Sequence, residues 1–212
     1  MSSDSQAPEI LAARIADAVD ALPPSTGRRL VAIAGPPGTG KSTVAELVQQ
    51  ELQGRGIPAG LFSMDGFHFD NAILSTRGML ARKGAPETFD VAGIKSMLSR
   101  LVTEDEVAVP EFDRALDKAI AARSLVLPEH QIVLVEGNYL LLNEPGWTDL
   151  HKHWALTVFL DVPLQTLEER LTDRWVEFGL DPKAAKERAF SNDFRNARRI
   201  LENSIPADVD LN

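Results

Sequence analysis

The stretch Gly35-Pro36-Pro37-Gly38-Thr39-Gly40-Lys41-Ser42 decides the fold, because it matches G-x-x-x-x-G-K-[S/T] at every fixed position. Glycines let the backbone curl around phosphate groups, and amide hydrogens at the start of a helix attract anions. Lys41 would place a cation against the β- and γ-phosphates, and the Ser42 hydroxyl would ligate Mg²⁺. The motif therefore predicts a phosphate-binding loop for ATP and Mg²⁺, with Thr43 as its last binding residue.

The residues on either side of the loop have the periodicities that this motif requires. Leu30 to Ala34 is a short apolar run, which is typical of a buried parallel strand. After the loop, apolar residues recur on one helical face, at Val44, Leu47, Val48 and Leu52. A strand, the loop and a helix are thus predicted in the required order.

Strand and helix patterns continue to alternate along the chain. Further strands are predicted at 59–64, 107–112, 132–135 and 156–160, and helices at 10–19, 91–101, 164–178 and 182–202. This order implies an α/β fold with a mostly parallel sheet and helices on both faces. Ligands of such sheets bind at the carboxyl ends of the strands, where Asp65, Glu136 and the glycine-rich loop all fall.

Composition limits the classes of function. The 212 residues fit one domain, 1–212, in which we expect residues 1–8 to be a disordered tail. A formal net charge of −9 argues against a nucleic-acid partner, and the absence of cysteine excludes disulfides, thiolate metal sites and cysteine nucleophiles. Neither a signal peptide nor an apolar run of membrane-spanning length is apparent. We therefore expect a cytoplasmic protein without a membrane partner, and leave a homodimer open.

Two carboxylates at strand ends are candidates for chemistry. Asp65 could accept the proton of a substrate hydroxyl, since an aspartate is normally ionised at neutral pH; the alternative is a turn aspartate that caps Gly66 and Phe67. Glu136 could bind Mg²⁺ opposite Ser42, or could simply face solvent. His68 could bind the acceptor or could be structural.

Four segments, in this order, resemble a known family. They are Gly35 to Ser42, Ser63-Met64-Asp65-Gly66-Phe67-His68, Arg82-Lys83-Gly84-Ala85-Pro86-Glu87-Thr88-Phe89-Asp90 and Val133-Leu134-Val135-Glu136-Gly137-Asn138-Tyr139. The family is that of the small-molecule kinases that include uridine kinase, phosphoribulokinase and bacterial pantothenate kinase. The resemblance covers about residues 28–208 and is greatest to the branch of fructose-transport-system kinases.

The resemblance implies a three-layer α/β/α P-loop NTPase fold, with five strands in the order 2-3-1-4-5 and a helical lid at about 168–190. It implies that Asp65 is the catalytic base and that Glu136 acts near the metal or the acceptor. Arg170 and Arg174 would lie in the lid over the ATP phosphates, with a surface ion-pair network as the alternative.

Further acceptor contacts are implied at three positions. Arg82, together with Lys83, would meet an anionic substrate or else be solvated. Asp113 would bind sugar hydroxyls and Arg114 a carboxylate or phosphate, unless the two form surface ion pairs. Asn192, Asn196 and Asn203 lie within the resemblance without an assigned role.

The predicted function is transfer of the γ-phosphoryl group of MgATP to a hydroxyl of a small metabolite, with a sugar such as fructose as the first choice. Uridine, another nucleoside or pantothenate are alternatives. A regulatory protein that hydrolyses ATP slowly is the alternative from another class. Related chains usually continue through a last strand after a segment like Ala207 to Asp210, which leaves the nucleotide preference open.

Overall fold

A computed structural model describes residues 7–211. The strands are β1 Arg29–Ala34, β2 Ala59–Ser63, β3 Val107–Asp113, β4 Lys118–Val126, β5 Ile132–Gly137, β6 Trp154–Leu160 and β7 Val209–Leu211. The helices are α1 Pro8–Asp20, α2 Lys41–Gly54, α3 Asn71–Thr76, α4 Val91–Thr103, α5 Leu164–Glu177, α6 Pro182–Arg188 and α7 Phe194–Asn203. Six residues of the predicted tail, 1–6, lie outside the described part, and α1 begins at Pro8.

The main sheet has five parallel strands in the order β2-β5-β1-β6-β7. Numbered along the chain within this sheet, the order is 2-3-1-4-5, which confirms the predicted fold class. The strands that make up the main sheet differ from the predicted ones in two places. Strand β3 forms as predicted but pairs antiparallel with β4 in a separate hairpin, and the fifth strand of the sheet is β7.

Two apolar layers fix this sheet between helices. Residues on one face of the central strands, such as Val31, Ile33 and Leu134, are buried against α1 and α2. Residues that alternate with them, such as Leu30 and Val133, are buried against α4 on the other face. Alternation of side chains across the strands thus produces the three-layer arrangement. Within residues 7–211, each helix is too short or too polar to cross a membrane.

The register of the sheet brings the candidate site together. Ala34, the last residue of β1, is opposite Gly137 of β5, and Ser63, the last residue of β2, is opposite Glu136. The glycine-rich loop and the Met64–Phe67 turn follow directly from β1 and β2. The loop, Asp65 and Glu136 therefore lie at one edge of the sheet.

The region predicted as a lid, about 168–190, corresponds to most of α5, helix α6 and the start of a wide turn of π-helical geometry, Ala189–Asp193. The break between the two predicted helices at Gly179 and Pro182 is confirmed. The second predicted helix, 182–202, is interrupted by the wide turn before α7.

Arg199 of α7 joins the last helix to two loops of the body. Its Nε and Nη2 donate to the two carboxylate oxygens of Glu144, and its Nη1 donates to Glu87 Oε1 at 2.5 Å. Burial is the largest single influence and raises the pKa of Glu87, but the hydrogen bond from Arg199, a backbone hydrogen bond and the charges of Arg199 and Arg82 together outweigh it, and the pKa is lowered. The charge-assisted fork thus stabilises the docking of α7.

We expect Arg199→Met to lower the free energy of unfolding by about 1–2 kcal/mol at pH 7, because the fork is only partly screened by water. A carboxylate whose pKa is lowered on folding stabilises the protein above its unfolded pKa and loses that contribution as pH falls through its folded pKa. The difference between the two proteins should therefore persist at neutral pH and shrink below about pH 4. Urea denaturation at several pH values measures it; a pH-independent difference would contradict the ionic origin.

Candidate active site

The glycine-rich loop presents backbone amides at the start of α2. Gly38 and Gly40 both adopt a φ of 86°, in the left-handed region that favours glycine. Gly40 precedes α2, and no side chain caps that helix end. A Cβ on Gly35 would lie 2.6 Å from the Leu160 carbonyl oxygen, so this position requires glycine as well. The amides at the helix start are consequently available to an anion.

Lys41 is the cation of this loop. Its side chain is buried, and its Nζ donates to the Pro36 carbonyl oxygen at 2.9 Å, which also accepts from Thr39 Oγ1 at 2.9 Å. Burial lowers the pKa of Lys41, while the nearby carboxylates of Glu136 and Asp65 oppose this shift. The loop therefore holds a desolvated ammonium group whose charge interacts with both candidate carboxylates.

Glu136 is buried at the end of β5, so it does not face solvent. Burial and the neighbouring Asp65 raise its pKa, and Lys41 acts in the opposite direction. Its Oε1 accepts a short hydrogen bond from Ser63 Oγ, and Ser63 Oγ in turn accepts from the Asp65 amide at 3.2 Å. Ser63, which the sequence analysis did not single out, thus connects the two carboxylate-bearing segments.

Asp65 and His68 lie in and just after the turn that follows β2. The Asp65 carboxylate is 27% exposed, and its Oδ2 lies 3.7 Å from Arg114 Nη2. His68 Nδ1 lies 2.8 Å from the Asp65 carbonyl oxygen; since a carbonyl only accepts, Nδ1 carries the proton. Burial lowers the pKa of His68, which favours a neutral ring at pH 7. Its Nε2 is then a hydrogen-bond acceptor.

These residues line one cleft of about 710 Å³. Of the predicted site residues, it is lined by Pro37, Gly38, Gly40, Lys41, Ser42, Thr43, Asp65, His68, Arg114, Glu136 and Arg174. Its wall also contains Lys83 and further residues that the sequence analysis did not assign to the site, among them Phe112, Asp117, Asn138, Trp175, Arg188 and Asp193. The phosphate loop, the two carboxylates and the lid therefore share a single cavity.

Six predicted residues lie outside the lining of this cleft. Gly35, Pro36 and Thr39 shape the loop from behind, as described above. Arg170 Nη1 donates to the Gly38 carbonyl oxygen at 3.2 Å, so it braces the loop. Asp113 Oδ1 accepts from the Leu116 amide at 3.0 Å in the β3–β4 turn. Arg82 donates to two asparagines of the wide turn and α7.

Lys83, not Arg82, lines the cleft. Its Nζ donates to Asn71 Oδ1 at 2.7 Å and to the side chain and carbonyl of Asp117 at 2.8 Å. The same ammonium lies 4.9 Å from the centre of the Phe112 ring, which packs against His68 at 4.7 Å. The hairpin thus brings Phe112 and Asp117 to a wall that also contains His68.

Arg174 and Trp175 form the lid side of the cleft. Arg174 Nη2 and Trp175 Nε1 both donate to Asp193 Oδ2, at 2.7 and 2.6 Å. The guanidinium group of Arg188 lies 4.5 Å from the centre of the Trp175 ring. Two guanidinium groups are thereby oriented on this wall, although no sequence motif distinguishes Arg188 from other helix-surface cations.

The donor set suits Mg²⁺ and a polyphosphate. Hydroxyl and carboxylate oxygens, as supplied by Ser42 and Glu136, are the ligands that Mg²⁺ prefers. Uncapped amides, a buried lysine and guanidinium groups are the donors that proteins direct at phosphate oxygens. This combination is what a kinase of the phosphate-loop type needs for phosphoryl transfer.

Comparison with known proteins agrees with this geometry. A family model described as an AAA domain matches residues 31–179. The Escherichia coli protein YggC is 37% identical over 86% of this chain and 76% of its own length, and the Schizosaccharomyces pombe protein C227.14, named a candidate uridine kinase, is 32% identical over 87% and 83%. A crystal structure of a candidate fructose transport system kinase from Silicibacter sp. TM1040 has 46% identity and a TM-score of 0.91, covering 94% of this chain and 98% of that one.

The fold, the cleft and these relatives lead to one assignment. The relatives of this chain include pantothenate kinases as well as the proteins above, and phosphoribulokinase shares its fold. This chain therefore belongs to the P-loop small-molecule kinases, the phosphotransferase family of uridine kinase, phosphoribulokinase and bacterial pantothenate kinase, which act on hydroxyl groups.

Proposed function

We propose that this kinase transfers the γ-phosphoryl group of MgATP to a hydroxyl of a neutral, polyhydroxylated metabolite, with a sugar such as fructose as the first candidate. The observation that carries the proposal is the position of Asp65. It lies in one cleft with the phosphate loop and with the wall formed by His68, Lys83 and Phe112. A carboxylate between a phosphate site and a polar pocket suits a base that orients a hydroxyl.

The donor side is formed by the loop and the lid. Lys41 and the loop amides would hold the β- and γ-phosphates, while Arg174 would stabilise charge that develops during transfer. Ser42 and Glu136 would hold Mg²⁺, which, when bound, neutralises charge on the phosphates. MgATP is a cytoplasmic substrate, and for that reason we also propose a cytoplasmic location.

The reaction would proceed by in-line displacement. The acceptor oxygen forms a bond to the γ-phosphorus as the bond from that phosphorus to the β,γ-bridging oxygen breaks, which releases ADP. The hydroxyl proton passes to the Asp65 carboxylate, late in a transition state that is loose. Asp65 therefore contributes mainly orientation and proton acceptance, and the loop and lid contribute electrostatic stabilisation.

The charges of the acceptor wall favour a neutral substrate. The Lys83 ammonium is already paired with Asp117, and its side chain is only 13% exposed. His68 is neutral at pH 7, as argued above. His68 Nε2 and the Asp65 carboxylate can accept hydrogen bonds and the exposed Arg114 guanidinium can donate them, which gives both kinds of partner that sugar hydroxyls require. Phe112 adds an apolar surface for the carbon face of a ring.

The name of the Silicibacter relative supports fructose as the first candidate, whereas the name of the yeast relative supports uridine. A carboxylate-bearing acceptor such as pantothenate, the substrate named for other relatives, would require a free cation. Arg114, whose side chain is 68% exposed, could supply one only by giving up its contact with Asp65, whose Oδ2 lies 3.7 Å from Arg114 Nη2. Uridine and pantothenate therefore stay in the test as alternatives.

The test is the rate of ADP release from MgATP in the presence of individual sugars, nucleosides and pantothenate. We expect one neutral polyol to raise the rate of ADP release at least about ten-fold. A bound acceptor orients its hydroxyl toward the γ-phosphate better than a water molecule in the same cleft is oriented. Stimulation by pantothenate alone would contradict the neutral acceptor. An equal, slow rate with every compound would instead support a regulatory ATPase.

A further inference from the structure

Two consecutive residues of the wide turn contact two different segments that line the cleft. Asn192 contacts the acceptor segment, which we define as residues 82–84. Its Oδ1 accepts from Arg82 Nη1 at 2.6 Å, and its Nδ2 donates to the Lys83 carbonyl oxygen at 2.7 Å. Asp193 contacts the lid helix α5, where its Oδ2 accepts from Arg174 and Trp175. The turn thus bonds simultaneously to both sides of the cleft.

Asn192 itself is buried, and its contacts are reinforced from the next turn of helix. Asn192 and Asn196 are 1% and 2% exposed. Asn196 Oδ1 accepts from Arg82 Nη2 at 3.2 Å, and its Nδ2 donates to the Gly84 carbonyl oxygen at 3.3 Å. Buried amides are costly to leave unpaired, so a shift of the turn must move the acceptor segment or break these bonds.

The geometry of the turn explains how it can contact both walls. The segment Ala189–Asp193 is a single wide turn of π-helical type between two α-helices. Such turns are rare, occur frequently at functional sites, and alter the directions in which successive side chains project. A continuous α-helix, as the sequence predicts here, would direct the Asn192 and Asp193 side chains differently relative to each other.

We infer that Asn192 is a positioning residue that links the lid to the acceptor segment, so that nucleotide at the lid orders the wall that carries Lys83 and Gly84. The inference rests on the proposed function in one respect, that Arg174 contacts the nucleotide phosphates. An ordered Arg174 fixes Asp193, the rigid turn fixes Asn192, and Asn192 fixes residues 82–84. A chain of partly buried hydrogen bonds of this kind can couple two sites.

Hydrogen–deuterium exchange tests the link without knowledge of the acceptor. Amides of residues 80–88 are monitored with and without Mg²⁺ and a non-hydrolysable ATP analogue. In the unmodified protein the analogue should slow exchange in this segment about five-fold or more, a typical size for coupling between sites. In Asn192→Ala that slowing should largely disappear, while the affinity for the analogue changes little.

Asn203→Ala is the matched control, because Asn203 lies exposed on α7 and, within residues 7–211, its Nδ2 bonds only to the Arg199 carbonyl oxygen of the same helix. It should retain the full slowing of exchange. Arg82→Met provides a second variant, in which the substituted side chain is half-buried and the same bonds are lost from the side of residues 82–84. It should behave like Asn192→Ala.

Three outcomes would overturn the inference: analogue binding without slowing of exchange in the unmodified protein, full slowing in both Asn192→Ala and Arg82→Met, or loss of slowing in Asn203→Ala as well. Failure of the proposed function has a separate signature. In that case the ADP-release assay shows no acceptor-dependent rate, although the exchange experiment with the analogue still gives its own result.

Discussion

Asp65→Asn is expected to lower kcat by about 10²–10⁴, the range typical of a lost general base. The amide keeps the size of the side chain and its place beside Arg114, but it cannot accept the proton of a hydroxyl. The loop amides and Lys41, which would hold the nucleotide, are untouched. The affinity for MgATP should therefore be nearly unchanged, and steady-state kinetics combined with nucleotide titration measures both quantities.

Asp105→Asn is the matched control for this substitution. Asp105 is exposed in the loop before β3 and does not line the cleft, so the same change of charge there should leave kcat unaltered. Turnover of Asp65→Asn within a factor of two or three of the unmodified enzyme would remove Asp65 as the base. A parallel loss of ATP affinity would show instead that Asp65 acts on the nucleotide side.

Lys41→Met should lower kcat/KM for MgATP by at least about 10²–10³, the usual effect of removing one preorganised donor from developing charge. Methionine retains most of the apolar stem, so the buried position is still filled. The loss arises because a desolvated ammonium group interacts strongly with phosphate oxygens in a site that excludes water. Both kinetic constants should worsen, in contrast to the result for Asp65→Asn.

The control for Lys41 is Lys152→Met, on the exposed surface of the turn that precedes β6. It changes the net charge equally and should have no kinetic effect. Retention of most activity in Lys41→Met would show that the loop amides and the lid are enough to stabilise the phosphates. Lys41 would then mainly stabilise the shape of the loop through its bond to the Pro36 carbonyl oxygen.

The strand–loop–helix unit could be predicted from sequence because its signals are local. The apolar run of β1, the glycines and the periodic face of α2 each encode one element independently of the rest. The positions of Asp65 and Glu136 follow from topology, since parallel strands end at one edge of the sheet. Alternation of strand and helix was therefore sufficient to bring these carboxylates to the loop.

The hairpin was harder to predict. Strand β4 is mostly exposed and lacks an apolar run, so its pattern resembles a polar loop. Strand β7 has only three residues. Because the hairpin delivers Phe112 and Asp117, the acceptor wall depends on a pairing that leaves little trace in composition.

Tertiary contacts determine that Lys83, and not the predicted Arg82, lines the cleft. Both are basic neighbours, and nothing in their local sequence decides which one faces the cleft. The buried pair Asn192 and Asn196, about 110 positions along the chain, binds Arg82 and turns it away. The local sequence likewise does not indicate the wide turn that places Asn192, because Ala189 to Asp193 continues the helical pattern of the residues on both sides.

The measurement that tests phosphoryl transfer most directly follows the γ-phosphoryl group of ATP into its product. ATP labelled with ¹⁸O in that group is incubated with the enzyme and the acceptor identified by ADP release, and the products are analysed by mass spectrometry. The account predicts label in a phosphate ester of a neutral polyol, in amounts equal to the ADP formed, and very little ester with Asp65→Asn. Label found only in inorganic phosphate, whatever the acceptor supplied, would contradict it.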